Sequence, residues 1–279
     1  MMTERSRTDR YAVMGHPILH SKSPIIHARF AEQTGQSMEY SAIHVLPGEF
    51  AHAIAAFCAE GGKGLSITLP FKEEAKALVD VITPRAQRAN AVNTIRLDSA
   101  GTKYGDNTDG IGFIRDLRRN RNMKVTKRRV LLLGAGGAAR GVIGPLLDEH
   151  PHELVIANRT PEKAKELAKQ FIADGPIKGC GLEELGSISF DLIINATSTS
   201  LTGEVPAIAD TVLQPNGWCY DLMYDTNQPT AFVRWGEQHG ASRSVDGLGM
   251  LVEQAAEAFY LWRGIWPDTS PVIAALRAS

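Results

Sequence analysis

"RRVLLLGAGGAARG", residues 128–141, passes from two arginines through an apolar run into a glycine turn and then an alanine-rich segment. The run reads as a β-strand and the segment after the turn as a helix, with Gly134, Gly136 and Ala139 at G-x-G-x-x-A spacing. In such a unit the first glycine makes the tight turn, the second lets backbone approach a pyrophosphate, and the alanine permits close helix–strand packing. The helix N-terminus then holds the anion. A glycine turn alone is a weak signal; the apolar strand before it makes this one a candidate dinucleotide site.

The next strand, "ELVIA", ends at Asn158, Arg159 and Thr160, where an NAD site would place an acid for the ribose 2′-hydroxyl. An arginine and a hydroxyl there suit a 2′-phosphate instead, because the guanidinium offers a planar fork of donors. Lys163 adds charge, so NADP is the expected cofactor over NAD. The series continues through the helix "PEKAKELAKQF" and the buried-looking strands "FDLIINAT" and "WCYDLMY". Upstream, "YAVMG", "YSAIHVL" and "GLSITL" read as strands alternating with the helices "SPIIHARFAEQTG" and "PGEFAHAIAAFCAEGG". The chain is therefore expected to be α/β: a mainly parallel N-terminal sheet followed by a Rossmann unit. "KYGDNTDGIGF" is the expected hinge, because Gly105, Gly110 and Gly112 permit unusual backbone angles. In "GMLVEQAAEAFYLWRGI", Leu251, Val252, Ala255, Phe259 and Trp262 form one apolar helical stripe.

A length of 279 residues accommodates two ordinary domains. Thirty Lys+Arg against 31 Asp+Glu leave a net charge of −1, which gives no field to gather nucleic acid or an anionic membrane. A small-molecule partner is expected. Three widely spaced cysteines, Cys58, Cys180 and Cys219, indicate neither a disulfide framework nor a zinc site, and no metal is expected. The start, "MMTERSRTDR", lacks a hydrophobic leader, and no apolar run reaches the ~20 residues that span a bilayer. These features point to a soluble, cytoplasmic protein.

Polar residues in "GLSITLPFKEEA", residues 64–75, mark the second candidate site. Leu65, Ile67 and Leu69 share one strand face while Ser66 and Thr68 share the other, and Lys72 falls in the first turn of a helix. In "HSKSP", Ser23 before Pro24 reads as a helix N-cap, or, with Ser21, as a hydroxyl pair for a carboxylate or polyol. Asn93 and Asp109, each taken alone, read as turn formers before they read as ligands.

Together "SKSP", "SITLPFK", "AVNT", "GDNTDG", "GAGGAARG", "NRT", "NATS" and "DGLGMLVEQA" occur in an order that resembles the shikimate dehydrogenase family, over nearly the whole chain. The resemblance implies a substrate-binding and catalytic domain over 1–108, completed by C-terminal helices in 248–279, and a Rossmann NADP-binding domain over 109–247, with catalysis in the cleft between. It implies reduction of 3-dehydroshikimate to shikimate by NADPH, within chorismate and aromatic amino-acid biosynthesis, by a monomer or homodimer. Ser21, Ser23, Ser66, Thr68, Asn93, Asp109, Tyr224 and Gln254 would bind substrate, with Lys72 and Asp109 as the catalytic pair. Gly134, Ala135, Gly136, Gly137, Ala138, Asn158, Arg159, Thr160, Lys163, Thr197, Leu222 and Gly247 would bind the cofactor. A quinate-using dehydrogenase and a non-catalytic NADP-binding regulator are the competing readings. The chain departs from the family's usual pattern twice: Ser66 stands where Asn is usual, and Asn90 where Gly is usual. Serine is shorter than asparagine and offers one hydroxyl in place of an amide, so a substrate contact there would be lost or bridged by water.

Overall fold

The computed structural model describes residues 8–278. It divides into two compact units, one running up to Thr108 and taking in Gln254–Ala274, the other Asp109–Glu253 together with the chain from Ala275 onward.

The first unit is built on strands β1 (Asp9–Gly15), β2 (Met38–His44), β3 (Gly64–Ile67), β4 (Val81–Ile82), β5 (Thr94–Leu97) and β6 (Lys103–Asp106). They form one sheet in the order β2-β1-β3-β5-β6-β4, with β5 alone antiparallel to its neighbours. Register sorts the side chains. Ala12, Met14, Leu65 and Ile67 lie in one core with Phe50, Ile54 and Phe57 of α2 (Phe50–Ala59) and with Phe71. The other face carries Tyr11 opposite Tyr40 and Gly64, and Val13 opposite Ala42 and Ser66. It is covered by α1 (Ser23–Thr34) and by residues from the far end of the chain. His27 stacks on Tyr40, Phe30 meets Phe259 edge-on, and Trp262 lies 4.9 Å from Tyr11. The Trp262 indole donates to Ile95 O at 3.0 Å and lies where a side chain at Gly64 would begin, 2.5 Å from the Cβ that glycine lacks.

Two expectations change here. Leu69 does not continue the face of Leu65 and Ile67: β3 ends at Ile67, the chain turns, and Leu69 is 50% exposed. Gly105, Gly110 and Gly112 do not adopt left-handed angles. The value of the first two is closeness: a Cβ on Gly105 would meet Val79 at 2.8 Å, and one on Gly110 would run into Gly141 O, between α5 (Asp109–Arg115) and α6 (Gly137–Asp148).

The second unit contains β7 (Arg129–Leu133), β8 (Glu153–Asn158), β9 (Ile177–Gly181), β10 (Phe190–Asn195), β11 (Leu213–Asp221) and β12 (Arg243–Val245), all parallel, in the order β12-β11-β10-β7-β8-β9. Read from β9, the order is that of a Rossmann sheet, which reverses direction beside β7. Helices on both faces bury it, so Val130–Leu133 and Leu192–Ile194 are wholly apolar. Helices α7 (Pro161–Lys169), α8 (Ala231–Gln238), α9 (Leu248–Arg263) and α10 (Ser270–Arg277) complete the chain, with Gln254–Arg263 of α9 counted in the first unit. Among the described residues no helix is long and apolar enough to cross a membrane.

Candidate active site

In the second unit the glycine turn follows β7 directly. Gly134 has φ +105°, a conformation that favours glycine, and a Cβ there would press on Ala196 O at 3.1 Å. Ala135 packs against the core, and Gly136 stands at the N-cap of α6 with no side-chain cap on the helix's first donors. Nothing lies within 4 Å of a Cβ built on Gly136 or Gly137, so the approach to that N-terminus, continued by Ala138, is open. A diphosphate fits this cradle. At the end of β8, Asn158 Nδ2 donates to Thr160 O at 3.0 Å, which curls the turn. Arg159 and Lys163 stand exposed beside it, and neither is taken up by an ion pair among the described residues. Two available cations flanking one hydroxyl suit a phosphate monoester.

The far side of this unit's strand ends is held by a carboxylate missed in the sequence reading. Asp221, buried at the end of β11, accepts from Ser200 Oγ (2.6 Å), Thr230 Oγ1 (2.7 Å), Asn195 Nδ2 (3.1 Å) and Met223 N (3.0 Å). Burial raises its pKa against the pull of those donors. Asn195 in turn accepts from Thr197 Oγ1 at 2.6 Å and its carbonyl from Leu222 N at 2.8 Å. Asp221 and Asn195 thus fix the loops that carry Thr197, Leu222 and Tyr224. Gly247 must be glycine: a Cβ would run into Leu222 O. The available signal was an acid closing the otherwise apolar and aromatic run "WCYD". Asp109 opens α5 and is buried.

In the first unit the buried Asn93 and Thr108 and the half-buried Gln254 form one hydrogen-bonded cluster. Asn93 Nδ2 donates to Thr108 Oγ1 (3.0 Å) and to Gln254 Oε1 (3.5 Å), Thr108 Oγ1 donates to Gln254 Oε1 (3.3 Å), and Asn93 Oδ1 accepts from Thr108 N (2.8 Å). Thr108 was not foreseen. The strand end beneath it is anchored by Arg85, which forks onto Asp106 at 2.6 and 2.7 Å and reaches Glu257 at 2.8 Å. Burial alone would raise the Asp106 pKa, but hydrogen bonds from Arg85 and Thr83 bring it below the usual carboxylate range.

The remaining substrate-side residues cluster around β1 and β3. Ser23 is not an N-cap; Lys22 occupies that position, and Ser23 is the first helical residue. Ser21 Oγ instead accepts from Ser23 N at 3.3 Å, the service a capping side chain would give. Thr68 N donates to Met14 O, and Thr68 Cγ2 fills the space a Cβ at Gly15 would need. Ser66 Oγ accepts from Tyr40 Oη at 2.8 Å. Lys72 opens α3 (Lys72–Ala75), and its carbonyl accepts from Val92 N. Asn90 takes the left-handed conformation (φ 51°) that glycine would supply, and its Oδ1 accepts from Lys76 Nζ at 2.6 Å.

Three family models match the chain in succession. "Shikimate dehydrogenase substrate binding domain" matches residues 13–95, "Shikimate / quinate 5-dehydrogenase" residues 116–205, and "Shikimate 5'-dehydrogenase C-terminal domain" residues 247–277. The chain belongs to the shikimate dehydrogenase family. It is 58% identical to the shikimate dehydrogenase (NADP(+)) of Nitrosococcus oceani over 96% of this chain and 95% of that one. Among solved members of the fold it superposes on an Ael1 enzyme from Pseudomonas putida with TM-score 0.87 at 45% identity, covering 96% of this chain and 98% of that one. It also superposes on the shikimate 5-dehydrogenase of Thermus thermophilus, solved with NADP(H) and shikimate, with TM-score 0.85 at 34% identity over 97% and 99% of the two chains.

Proposed function

We propose that the chain is an NADP-dependent shikimate dehydrogenase that reduces 3-dehydroshikimate to shikimate reversibly, with Lys72 and Asp109 as its catalytic pair. The observation that carries this reading is the near full-length kinship to shikimate dehydrogenase (NADP(+)) enzymes. The open α6 N-terminus with Arg159 and Lys163 supports NADP, and the Asn93–Thr108–Gln254 cluster supports a polyhydroxylated substrate. NADP(H), when bound, supplies or accepts the hydride.

The chain's own residues manage substrate and proton. Ser21, Ser23, Ser66, Thr68, Asn93 and Gln254 offer hydroxyls and amides that donate and accept, the complement of a carboxylated polyol ring. As hydride reaches the ketone carbon, negative charge grows on the oxygen, and Lys72 supplies both the positive charge and the proton. In the reverse direction Lys72 accepts the hydroxyl proton as the hydride leaves the ring carbon.

A steady-state assay of NADP and NAD against shikimate and quinate, repeated with Lys72→Ala, tests the function. We expect turnover with NADP and shikimate that Lys72→Ala removes. A preference for quinate would move the assignment to the quinate-using branch, and NADP binding without turnover of either substrate would identify a regulator.

A further inference from the structure

Two hydroxyls meet on the α1-covered face of the first unit's sheet: Tyr40 Oη donates to Ser66 Oγ at 2.8 Å. Strand register makes this possible: Tyr40 and Ser66 lie on one face, separated by β1 and offset by two residues, a diagonal that a tyrosine side chain spans.

A hydroxyl carries one hydrogen and two acceptor positions. With the phenol hydrogen committed to Ser66, the Ser66 hydroxyl accepts from Tyr40 and keeps its own hydrogen to donate.

The phenol is also fixed in place. Its ring stacks on His27 at 4.1 Å and 11°, and His27 lies 5.3 Å from Trp262. His27 is 1% exposed and neither ring nitrogen has a partner, so it serves as a flat apolar backing. Burial pushes its pKa down to about 3, which keeps it neutral, and burial raises the Tyr40 pKa, which keeps the phenol a donor.

We infer that Tyr40 is a specificity-determining positioning residue, which acts through Ser66 to present one oriented donor to an acceptor oxygen of the carboxylated ring substrate. The inference rests on the proposed function, in which Ser66 contacts substrate. A serine backed by Tyr40 supplies the donor half of what an asparagine would offer and leaves out its carbonyl. It favours a substrate oxygen that accepts over one that must donate.

The test is a double-mutant cycle of Tyr40→Phe, Ser66→Ala and the double variant, read by KM and kcat for shikimate oxidation with NADP and by calorimetric shikimate binding, which needs no turnover. Tyr40→Phe keeps the ring and its stack on His27. It should raise KM and the dissociation constant about 3- to 10-fold, the range of one neutral hydrogen bond, while kcat changes by less than about 2-fold. In the Ser66→Ala background the same substitution should have little further effect, because the two act as one unit. An unchanged KM and binding constant in Tyr40→Phe would overturn the inference, as would effects that multiply independently in the double variant. A purely structural tyrosine would lower the thermal midpoint without this coupling. Turnover by all four proteins with uncoupled effects would remove the Tyr40 inference alone, whereas absence of wild-type turnover would remove the proposed function itself.

Discussion

In the second unit the strands β7, β8 and β10 are nearly unbroken apolar runs, and the candidate cofactor site is made largely of backbone: a left-handed glycine, an uncapped helix N-terminus and a curled strand end. In the first unit β2 and β3 alternate, and the candidate substrate site is made of side chains, with hydroxyls and amides held by partners on other elements. A backbone site tolerates drift in most side chains as long as the turn keeps its glycines. A side-chain site depends on each partner, as Ser66 does on the Tyr40 phenol that donates to it.

The sharpest way to break this contrast is Lys72→Met. If the first unit carries the proton chemistry, kcat should fall about 10²- to 10⁴-fold with KM little changed, because the lost interaction belongs to the transition state. Near-wild-type turnover would take the proton step away from Lys72. The second unit's counterpart is Arg159→Gln. Loss of a charge-assisted bond to a 2′-phosphate should weaken NADP binding about 10- to 100-fold and leave NAD binding almost untouched, measured by fluorescence titration of both. Equal weakening of the two would mean that Arg159 does not read the 2′ position.

The smallest effect concerns stability. His27 has a folded pKa near 3 against 6.5 for an ordinary histidine, so only the unfolded chain gains its proton as pH falls below about 6.5. The folded state should lose roughly 2 kcal/mol from this group between pH 7 and 5, a loss that continues down to about pH 3. In His27→Phe this part of the acid limb should flatten. Urea midpoints at pH 7 and 5 that fall equally in both proteins would show that His27 is not what the acid attacks.

The α/β class was legible because helical and strand periods alternate along the chain, and the Rossmann unit because its turn chemistry is local: Gly134 to Ala139 are close neighbours in the chain. The edge strands β4 and β9 were not. β4 has two residues, and β9, "IKGCG", carries two glycines and a lysine, so neither shows a periodic pattern. The site residues that escaped notice share one property. Thr108 meets Gln254 from 146 positions away, Tyr40 reaches Ser66 across 26, and Asp221 gathers Asn195 from 26. A hydroxyl or carboxylate whose partners lie that far off carries no mark in its own neighbourhood. The N-cap reading of Ser23 failed for the opposite reason, since a serine before proline is a sound local cap signal, overridden here by Lys22 at the N-cap position and by Ser21 Oγ accepting from Ser23 N.

The Trp262 indole, seated over Gly64 and bonded to Ile95, has a consequence for the order of events during synthesis. Arg263 beside it reaches Asp9, Tyr11 and Gln36, so the first sheet to be translated is closed by almost the last helix. At about 5–20 residues per second, the face bearing Tyr11, Tyr40 and Ser66 waits on the order of ten to thirty seconds after Thr108 is made before its cover emerges. That interval is the time taken to make most of the second unit, whose Asp109–Glu253 separates the two parts of the first. A newborn chain therefore holds the Tyr11, Tyr40 and Ser66 face under α1 alone until nearly all of it has been made.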